Sequence, residues 1–342
     1  MPLTETRRSQ VGWATLFGLI AVFVSLGLLK FLVFLLFMRL VTDLLVDAVG
    51  RRVRFASRTV VLNAVYLLVA ALIVVIAAVV VPRFVAELPA YTQSLDRNLT
   101  DKLSELLASQ HVSIDLESAK QRAMEWGREH AGESMSLARR AGTNLVLLVV
   151  AFIITFVAAH QRISSGSSGD PRDPATNLWD FLGDFIAAKM GAFYACFRLV
   201  MAGQMVIALI NAGLTFGLLV VLGVPHKIAL TVLVFVFGLL PIVGNLISNT
   251  IVCISALLWT GPLQVIAALV FLVLIHKLEY FLNGKIIGHI VKLPLYMTLL
   301  SLIVGEALFH ISGMILAIPV ILLVREELSA IEAAGPPANT AG

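Results

Sequence analysis

Ionisable and amide side chains recur at helical spacing within apolar stretches of the C-terminal half. His276, Glu279 and Asn283 lie at positions i, i+3 and i+7, so one face of a helix carries all three. Glu306 and His310 are spaced i, i+4 and form a second pair of the same kind. Ionisable groups at membrane depth are costly, and they mark ion and proton pathways. The two sets therefore predict protonatable sites of the kind that a proton-coupled carrier needs.

These residues also have a structural interpretation. Glu279 can pair with Lys277 or Lys285 at the cytoplasmic interface and only anchor the fold. The sequence leaves both roles open.

A proline and glycine interruption divides the longest apolar run of the chain. Residues 228–275 contain no Lys, Arg, Asp or Glu, whereas one spanning helix needs only about 20 apolar residues. Broken backbone survives in lipid only where protein or water satisfies it. The interruption at residues 241–244 therefore predicts a hairpin tip packed inside the protein. A tolerated kink or an ordinary loop between two spans is the alternative.

Three polar residues follow this tip: Asn245, Ser248 and Asn249. Their side chains are suited to binding a polyhydroxylated solute or to coordinating a cation through oxygen. They are equally suited to satisfying the broken backbone.

The composition is that of a membrane protein, and the lack of recognisable catalytic motifs predicts that it is not an enzyme. Hydrophobic residues make up 59% of the chain and charged residues 13%, against roughly 25% charged in soluble domains. Cys196 and Cys253 fit neither a disulfide framework nor a metal-ligand spacing. Walker, nucleophile-elbow and zinc-protease motifs are all missing from the sequence. We therefore expect no cofactor, no metal and no direct use of ATP, and the position of basic residues beside spans argues against nucleic-acid binding.

The N-terminal region, residues 1–81, is predicted to contain three spans. The first apolar run is too long for one helix and is divided at Lys30. The predicted helices occupy about 11–29, 31–48 and 59–81, and Pro82 closes the last of them.

The second predicted helix carries charges. Arg39 and Asp43 are one turn apart and can pair, and Asp47 continues the same face. They form either part of a proton relay or a structural pair near the interface. Four arginines lie at 51–58, between the second and third predicted helices. The positive-inside rule places the loop that contains them in the cytoplasm.

The remaining regions differ in composition. Residues 82–140 mix acids and bases, and two stretches of helically spaced apolar residues within them predict two amphipathic extracytoplasmic helices. The other predicted regions are a fourth span at 141–160, a cytoplasmic loop at 161–194, a transport core with broken helices at 195–328 and a disordered tail at 329–342.

Two topologies fit these regions. Eight full crossings would place the basic loop 283–294 outside, against the positive-inside rule. Alternatively, 228–259 and 295–324 are re-entrant hairpins with tips at 241–244 and 305–313, which leaves both chain ends in the cytoplasm. Transporters use such interrupted segments to build sites at the midplane. The predicted fold is an all-α, polytopic integral membrane protein with six to eight spans and two broken or re-entrant segments in its C-terminal half.

A series of motifs after about Gly203 is specific enough to indicate a family. The motifs are GLLPIVGNLISN from Gly238, HKLEYFLN from His276, Gly288, Leu293-Pro294, Gly313-Met314 and Pro319. Together with the order of elements over residues 11–328, they resemble the autoinducer-2 exporter family of bacterial permeases.

This resemblance implies export of a small furanone-like signalling molecule in quorum sensing, and some relatives resemble sodium/proton antiporters instead. The expected partners are the lipid bilayer of the bacterial inner membrane, a small polar solute, protons or sodium as coupling ions, and further copies of the same chain. Asp43 and Asp47 lie where relatives often carry a proline. His310 stands where glycine is usual, which argues against a simple glycine-lined passage.

Three functions are therefore considered: a proton-coupled secondary transporter that exports a small polar solute, a sodium/proton antiporter, and a non-transporting membrane scaffold. The predicted transport pathway or coupling site comprises Pro241, Gly244, Asn245, Asn249, His276, Glu279, Asn283, Glu306, His310 and Gly313.

Overall fold

The computed structural model describes residues 5–53, 57–87, 90, 91, 94, 97, 133–165, 178–240, 243–259, 262–286 and 293–333. The regular elements among these residues are all helical, which confirms the predicted all-α class. The helices are α1 (Glu5–Ser25), α2 (Leu29–Arg52), α3 (Arg58–Val75), α4 (Glu133–Ser165), α5 (Leu178–Val221), α6 (Lys227–Gly238), α7 (Val243–Trp259), α8 (Pro262–Ile286) and α9 (Leu295–Ala333).

Five helices in the described part of the chain are long and apolar enough to cross a membrane. They are Arg7–Ser25, Arg58–Glu87, Gly142–Gln161, Leu178–Val221 and Tyr296–Ala330. The total of six to eight spans stays a prediction.

The first apolar run is divided into two helices as predicted, but the break lies at Gly27 and not at Lys30. Gly27 has a φ of 68°, which a residue without Cβ adopts without steric cost. The N–H of Leu28 bonds to the carbonyl of Phe23, and the N–H of Gly27 bonds to that of Val24. This pair of bonds is a Schellman motif, so the glycine conformation ends α1.

The prediction that Pro82 ends the third span is wrong. The helix that begins as α3 continues to Glu87, and a π-helical turn, Ile76–Val80, precedes the proline. The N–H of Val81 bonds to the carbonyl of Ile76. A wider turn relieves the contact between a proline ring and the carbonyl four residues before it, which is the contact that normally breaks an α-helix.

α5 is continuous over its whole length. The end of the predicted loop 161–194 therefore shares one helix with the start of the predicted transport core 195–328. At the other end of the chain, α9 extends to Ala333, into the predicted tail. Residues 98–132, which make up most of the region where the amphipathic helices were predicted, and residues 334–342 lie outside the described residues.

The chain divides into two compact units. The first comprises Met1–Tyr66, Leu147–Ala202 and Ile287–Gly342, and the second Leu67–Val146 and Gly203–Ile286. In the first unit, Phe37 of α2 packs edge-on against the fully buried Phe197 of α5, with ring centroids 5.4 Å apart. In the second unit, α5, α6 and α7 meet in a cluster formed by Ala212, Val234 and Val252.

α6 and α7 form a helical hairpin in the second unit. A Cβ atom added to Gly244 would lie only 1.6 Å from the carbonyl oxygen of Phe237, so the two helices touch backbone to backbone. The N–H of Leu240 bonds to that same carbonyl at 2.8 Å. The predicted interruption of the apolar run is confirmed, since α6 ends before it and α7 begins within it.

α9 contains the second hairpin. Phe309 and His310 have non-helical backbone angles, and His310 has a φ of 52°. A Cβ on Gly305 would lie 2.6 Å from the carbonyl oxygen of Gly313, and one on Gly313 would lie 1.9 Å from that of Gly305. Residues eight apart in a straight helix would be separated by about 12 Å. The chain therefore folds back between the two glycines, where the sequence predicted a break.

Tyr91 contacts α7 of the first hairpin, within the second unit. Its hydroxyl lies 2.9 Å from the Ser255 hydroxyl of α7, and its ring stacks on Trp259 with centroids 5.3 Å apart. Nearby, the Glu87 carboxylate accepts a hydrogen bond from the Ala229 N–H in the first turn of α6. Burial raises the pKa of Tyr91 above its ordinary value of 10.0, so this hydroxyl remains protonated at neutral pH.

Replacing Tyr91 by phenylalanine is expected to lower the free energy of unfolding by about 1 kcal/mol, because the ring stays and one hydrogen bond is lost. The native pKa exceeds the unfolded one. The stabilisation is therefore complete below about pH 10 and is lost as the pH rises through the native pKa. The variant should lack this alkaline loss in thermal melts recorded across pH. Tyr296→Phe, at an exposed tyrosine, is the matched control, and an equal alkaline loss in Tyr91→Phe would contradict the assignment.

Candidate functional site

The end of α6 is held by a buried glutamine from α5. Gln204 donates a hydrogen bond from its side-chain nitrogen to the carbonyl of Gly238 at 2.6 Å. Carbonyls at the end of a helix have no partner within that helix, and leaving one unpaired in an apolar interior is costly. Gln204 therefore stabilises the hairpin at the point where α6 stops. The prediction from sequence did not include Gln204, although an amide within an apolar helix is the signal that would have found it.

Two helices of the second unit, α5 and α7, carry buried polar side chains. Those on α5 and α7 are Gln204, Asn211, Thr215, Ser248, Asn249 and Ser255. A buried polar group is expensive unless it is hydrogen-bonded, and such groups within an apolar bundle are a feature of ligand sites. Ser248 and Asn249 are among the polar residues that the sequence predicted at this hairpin.

Asn249 and His276 meet at the wall of a cavity between α7 and α8. The Asn249 side-chain nitrogen lies 3.3 Å from Nδ1 of His276. The cavity has a volume of about 840 Å³, within the range of roughly 300–1,000 Å³ that is typical of small-molecule sites. Its lining residues are Asn249, Thr250, Cys253, Ile254, Leu272, Val273, His276 and Lys277.

Of the other residues predicted in this region, only Glu279 has a described side chain. Glu279 is half-buried on α8 and does not line the cavity. Asn283 on α8 and Asn245 on α7 have helical backbone, but their side chains lie outside the described residues, as does Pro241 altogether. Helical backbone over 276–283 supports the prediction that His276, Glu279 and Asn283 share one face.

Glu306 and His310 lie at the fold of the second hairpin. Nδ1 of His310 is 4.0 Å from a carboxylate oxygen of Glu306, and their side chains are 87% and 57% exposed. The predicted proximity of the two groups is therefore confirmed. His310 also adopts left-handed backbone at the fold, a conformation uncommon for residues other than glycine. The resemblance implies glycine at this position, and glycine adopts such a positive φ without steric cost.

The charges on α2 have partners on α5. Arg39 and Asp43 lie 3.8 Å apart, as predicted. The hydroxyl of Tyr194 donates to Asp43 at 2.5 Å, and Arg39 lies over the Tyr194 ring, 3.7 Å from its centroid. One turn further along, Arg198 pairs with Asp47 at 2.5 Å. These contacts favour the structural interpretation, because each carboxylate is already engaged in joining two helices.

A second set of contacts fixes the end of α9 in the same unit. Lys189 of α5 pairs with Glu327 at 2.5 Å, and its ammonium group lies 5.0 Å from the centroid of the Trp13 ring. Cys196 donates a weak hydrogen bond to Glu326. Among the residues that the structure describes, no three His, Cys, Asp or Glu side chains are grouped as a metal site would require.

Residues 174–333 match the family model for the AI-2E family transporter. The chain is 32% identical over 163 residues to "Putative transport protein YdbI" of Bacillus subtilis (strain 168), a match that covers 44% of this chain and 47% of that protein. It is 24% identical over 273 residues to "Putative transport protein MT0215" of Mycobacterium tuberculosis (strain CDC 1551 / Oshkosh), covering 77% and 72% of the two chains. The alignment with the Bacillus protein thus spans less than half of its length. Both hairpins lie within the matched region, and the resemblance to the autoinducer-2 exporter family is confirmed over residues 174–333.

Proposed function

We propose that this chain is a secondary transporter of the bacterial inner membrane that exports a small solute with polar groups, driven by protons. The family model and the names of both relatives support membrane transport. The observation that carries the proposal is the cavity between α7 and α8, which is lined by the second arm of the first hairpin from Asn249 onwards. Broken helices that line a cavity are how carriers build a solute site within the bilayer.

The lengths of the hairpin arms support re-entrant placement. α6 has 12 residues and is about 18 Å long, which is too short for a hydrocarbon core of about 30 Å. The fold in α9 likewise leaves only a short first arm, 295–308. Two re-entrant hairpins place both tips within the bilayer and keep the basic loop 283–294 and both chain ends in the cytoplasm.

In this proposal the two pairs of polar residues have different roles. Asn249 and His276 contact the solute, because they form the polar end of the cavity. Glu306 and His310 carry the coupling proton, because they are the ionisable pair at the second fold. A carboxylate beside an imidazole can exchange a proton with water without leaving an unpaired charge in the bilayer.

Proteoliposomes that contain the purified protein test this function. Counterflow of a polar solute that responds to a pH gradient supports it, and His276→Ala should reduce that flux. His160→Ala is the matched control, because His160 contacts Asn63 in the first unit and lies outside the proposed site. A pH change that depends on sodium alone would identify an antiporter instead, and no flux of either kind would indicate a scaffold.

The topology has its own test. A cysteine at Lys285, introduced into a chain without Cys196 and Cys253, should react with an impermeant maleimide only in inverted membrane vesicles. Lys227→Cys should react in intact cells. Labelling of position 285 from outside would restore the eight-crossing arrangement.

A further inference from the structure

The cavity between α7 and α8 is graded from a polar to an apolar end. Asn249 faces His276. The two helices are joined by only two residues and therefore run antiparallel. One turn away from Asn249, Cys253 is then level with Leu272. The two levels are thus separated by about 6 Å. The polar level is formed by Asn249, Thr250, His276 and Lys277, and the apolar level by Cys253, Ile254, Leu272 and Val273.

The charge at the polar level has one sign. Lys277 and His276 are the ionisable side chains among the lining residues that the structure describes, and no Asp or Glu is among them. A lysine and a protonatable histidine at one end of a cavity favour an anionic group there. The charge and the hydrogen-bonding groups lie at the same end.

Neither of two simpler ligands uses both levels. A small polyhydroxylated solute at the polar end leaves the apolar wall without a partner, whereas a pure hydrocarbon would remove water from Lys277 without compensation. A molecule with an anionic head and a hydrocarbon tail gains from both ends. The tail is favoured by about 0.8 kcal/mol per buried methylene group.

We propose that the solute of this cavity is an amphipathic anion, with a carboxylate or phosphate head at Lys277, His276 and Asn249 and a short hydrocarbon tail along Leu272 and Ile254. This inference rests on the proposed transport function in that it names the class of the transported solute. Binding itself can be measured without transport.

Cys253 provides a reporter at the apolar level. In a Cys196→Ser chain reconstituted into nanodiscs of neutral phosphatidylcholine, decanoate should slow alkylation of Cys253 by N-ethylmaleimide by about tenfold at saturation. Lys277→Gln should raise the decanoate concentration needed for half-protection by about tenfold, which corresponds to about 1.4 kcal/mol. Lys277→Arg should restore protection, and Lys30→Gln, in the other unit, should change nothing.

Several outcomes would overturn the inference. Equal protection by decanol would mean partition into the bilayer without recognition of charge, and protection by ribose would indicate a polar solute. Protection by phosphatidylglycerol nanodiscs without decanoate would assign the cavity to a lipid headgroup. Protection by decanoate without its counterflow in proteoliposomes would sustain the binding site and contradict transport. Flux of a polar solute without protection would sustain transport and contradict this site.

Discussion

Gly244→Ala is expected to prevent the first hairpin from closing and to leave little folded protein. The added Cβ would lie 1.6 Å from the Phe237 carbonyl oxygen and 2.6 Å from its carbon. Both are backbone atoms, so no side-chain rotation relieves the contact. Overpacking ordinarily costs about 1–3 kcal/mol, and a backbone clash this close should reach or exceed the upper end of that range. The measurement is the yield of monodisperse protein in size-exclusion chromatography and its melting temperature.

Gly213→Ala is the matched control for this substitution. Gly213 also lies in an apolar helix of the second unit, but a Cβ there would meet nothing within 4 Å. Alanine is favoured over glycine in a helix by about 0.8–1.0 kcal/mol, so this variant should melt at the same temperature or slightly higher. Normal yield and melting temperature for Gly244→Ala would show that α6 and α7 do not touch as described.

Both broken segments could be predicted from sequence because their signals are local. Proline and glycine within an apolar run change backbone geometry wherever the run is placed. The closing contacts could not be predicted. Gly244 meets Phe237, and Gly305 meets Gly313, and such contacts depend on how two helices cross. The sequence indicates where a helix stops, whereas the three-dimensional packing determines what lies against the glycine.

The two incorrect boundaries in the N-terminal half were each predicted from a single residue. Lys30 predicts a break because a charge is costly in lipid, but a long lysine side chain can extend towards water. Gly27, three positions earlier, controls the backbone. Pro82 predicts the end of a helix. The π-helical turn Ile76–Val80 accommodates it, and such a turn has no simple signature in sequence.

Contacts between distant helices were the hardest to predict. Asn249 and His276 were each proposed as site residues, yet their contact across 27 positions follows from the packing of α7 on α8. Tyr194 and Arg198 were missed. They are four residues apart, as Asp43 and Asp47 are, and this matched spacing of complementary groups on two apolar helices is the signal that would have suggested the pairing.

Glu306→Gln is expected to remove the pH dependence of transport while leaving the protein folded. The substitution keeps the shape of the side chain and removes its charge, and 57% exposure at the fold of α9 means that little packing depends on it. One coupling proton gives a slope of at most about tenfold in rate per pH unit. The variant should show none of this slope. Counterflow measured in proteoliposomes across a pH series, with melting temperature recorded in parallel, tests both statements.

Asp180→Asn serves as the control, because it removes an exposed carboxylate from the start of α5. Its pH profile should match that of the unmodified protein. If Glu306→Gln instead lowers the melting temperature by several degrees, the carboxylate is a structural partner of His310. If the variant folds normally and its transport still varies with pH, Glu306 does not carry the coupling proton. Glu279 on α8 then becomes the remaining acidic candidate, because it lies on the helical face that also carries His276.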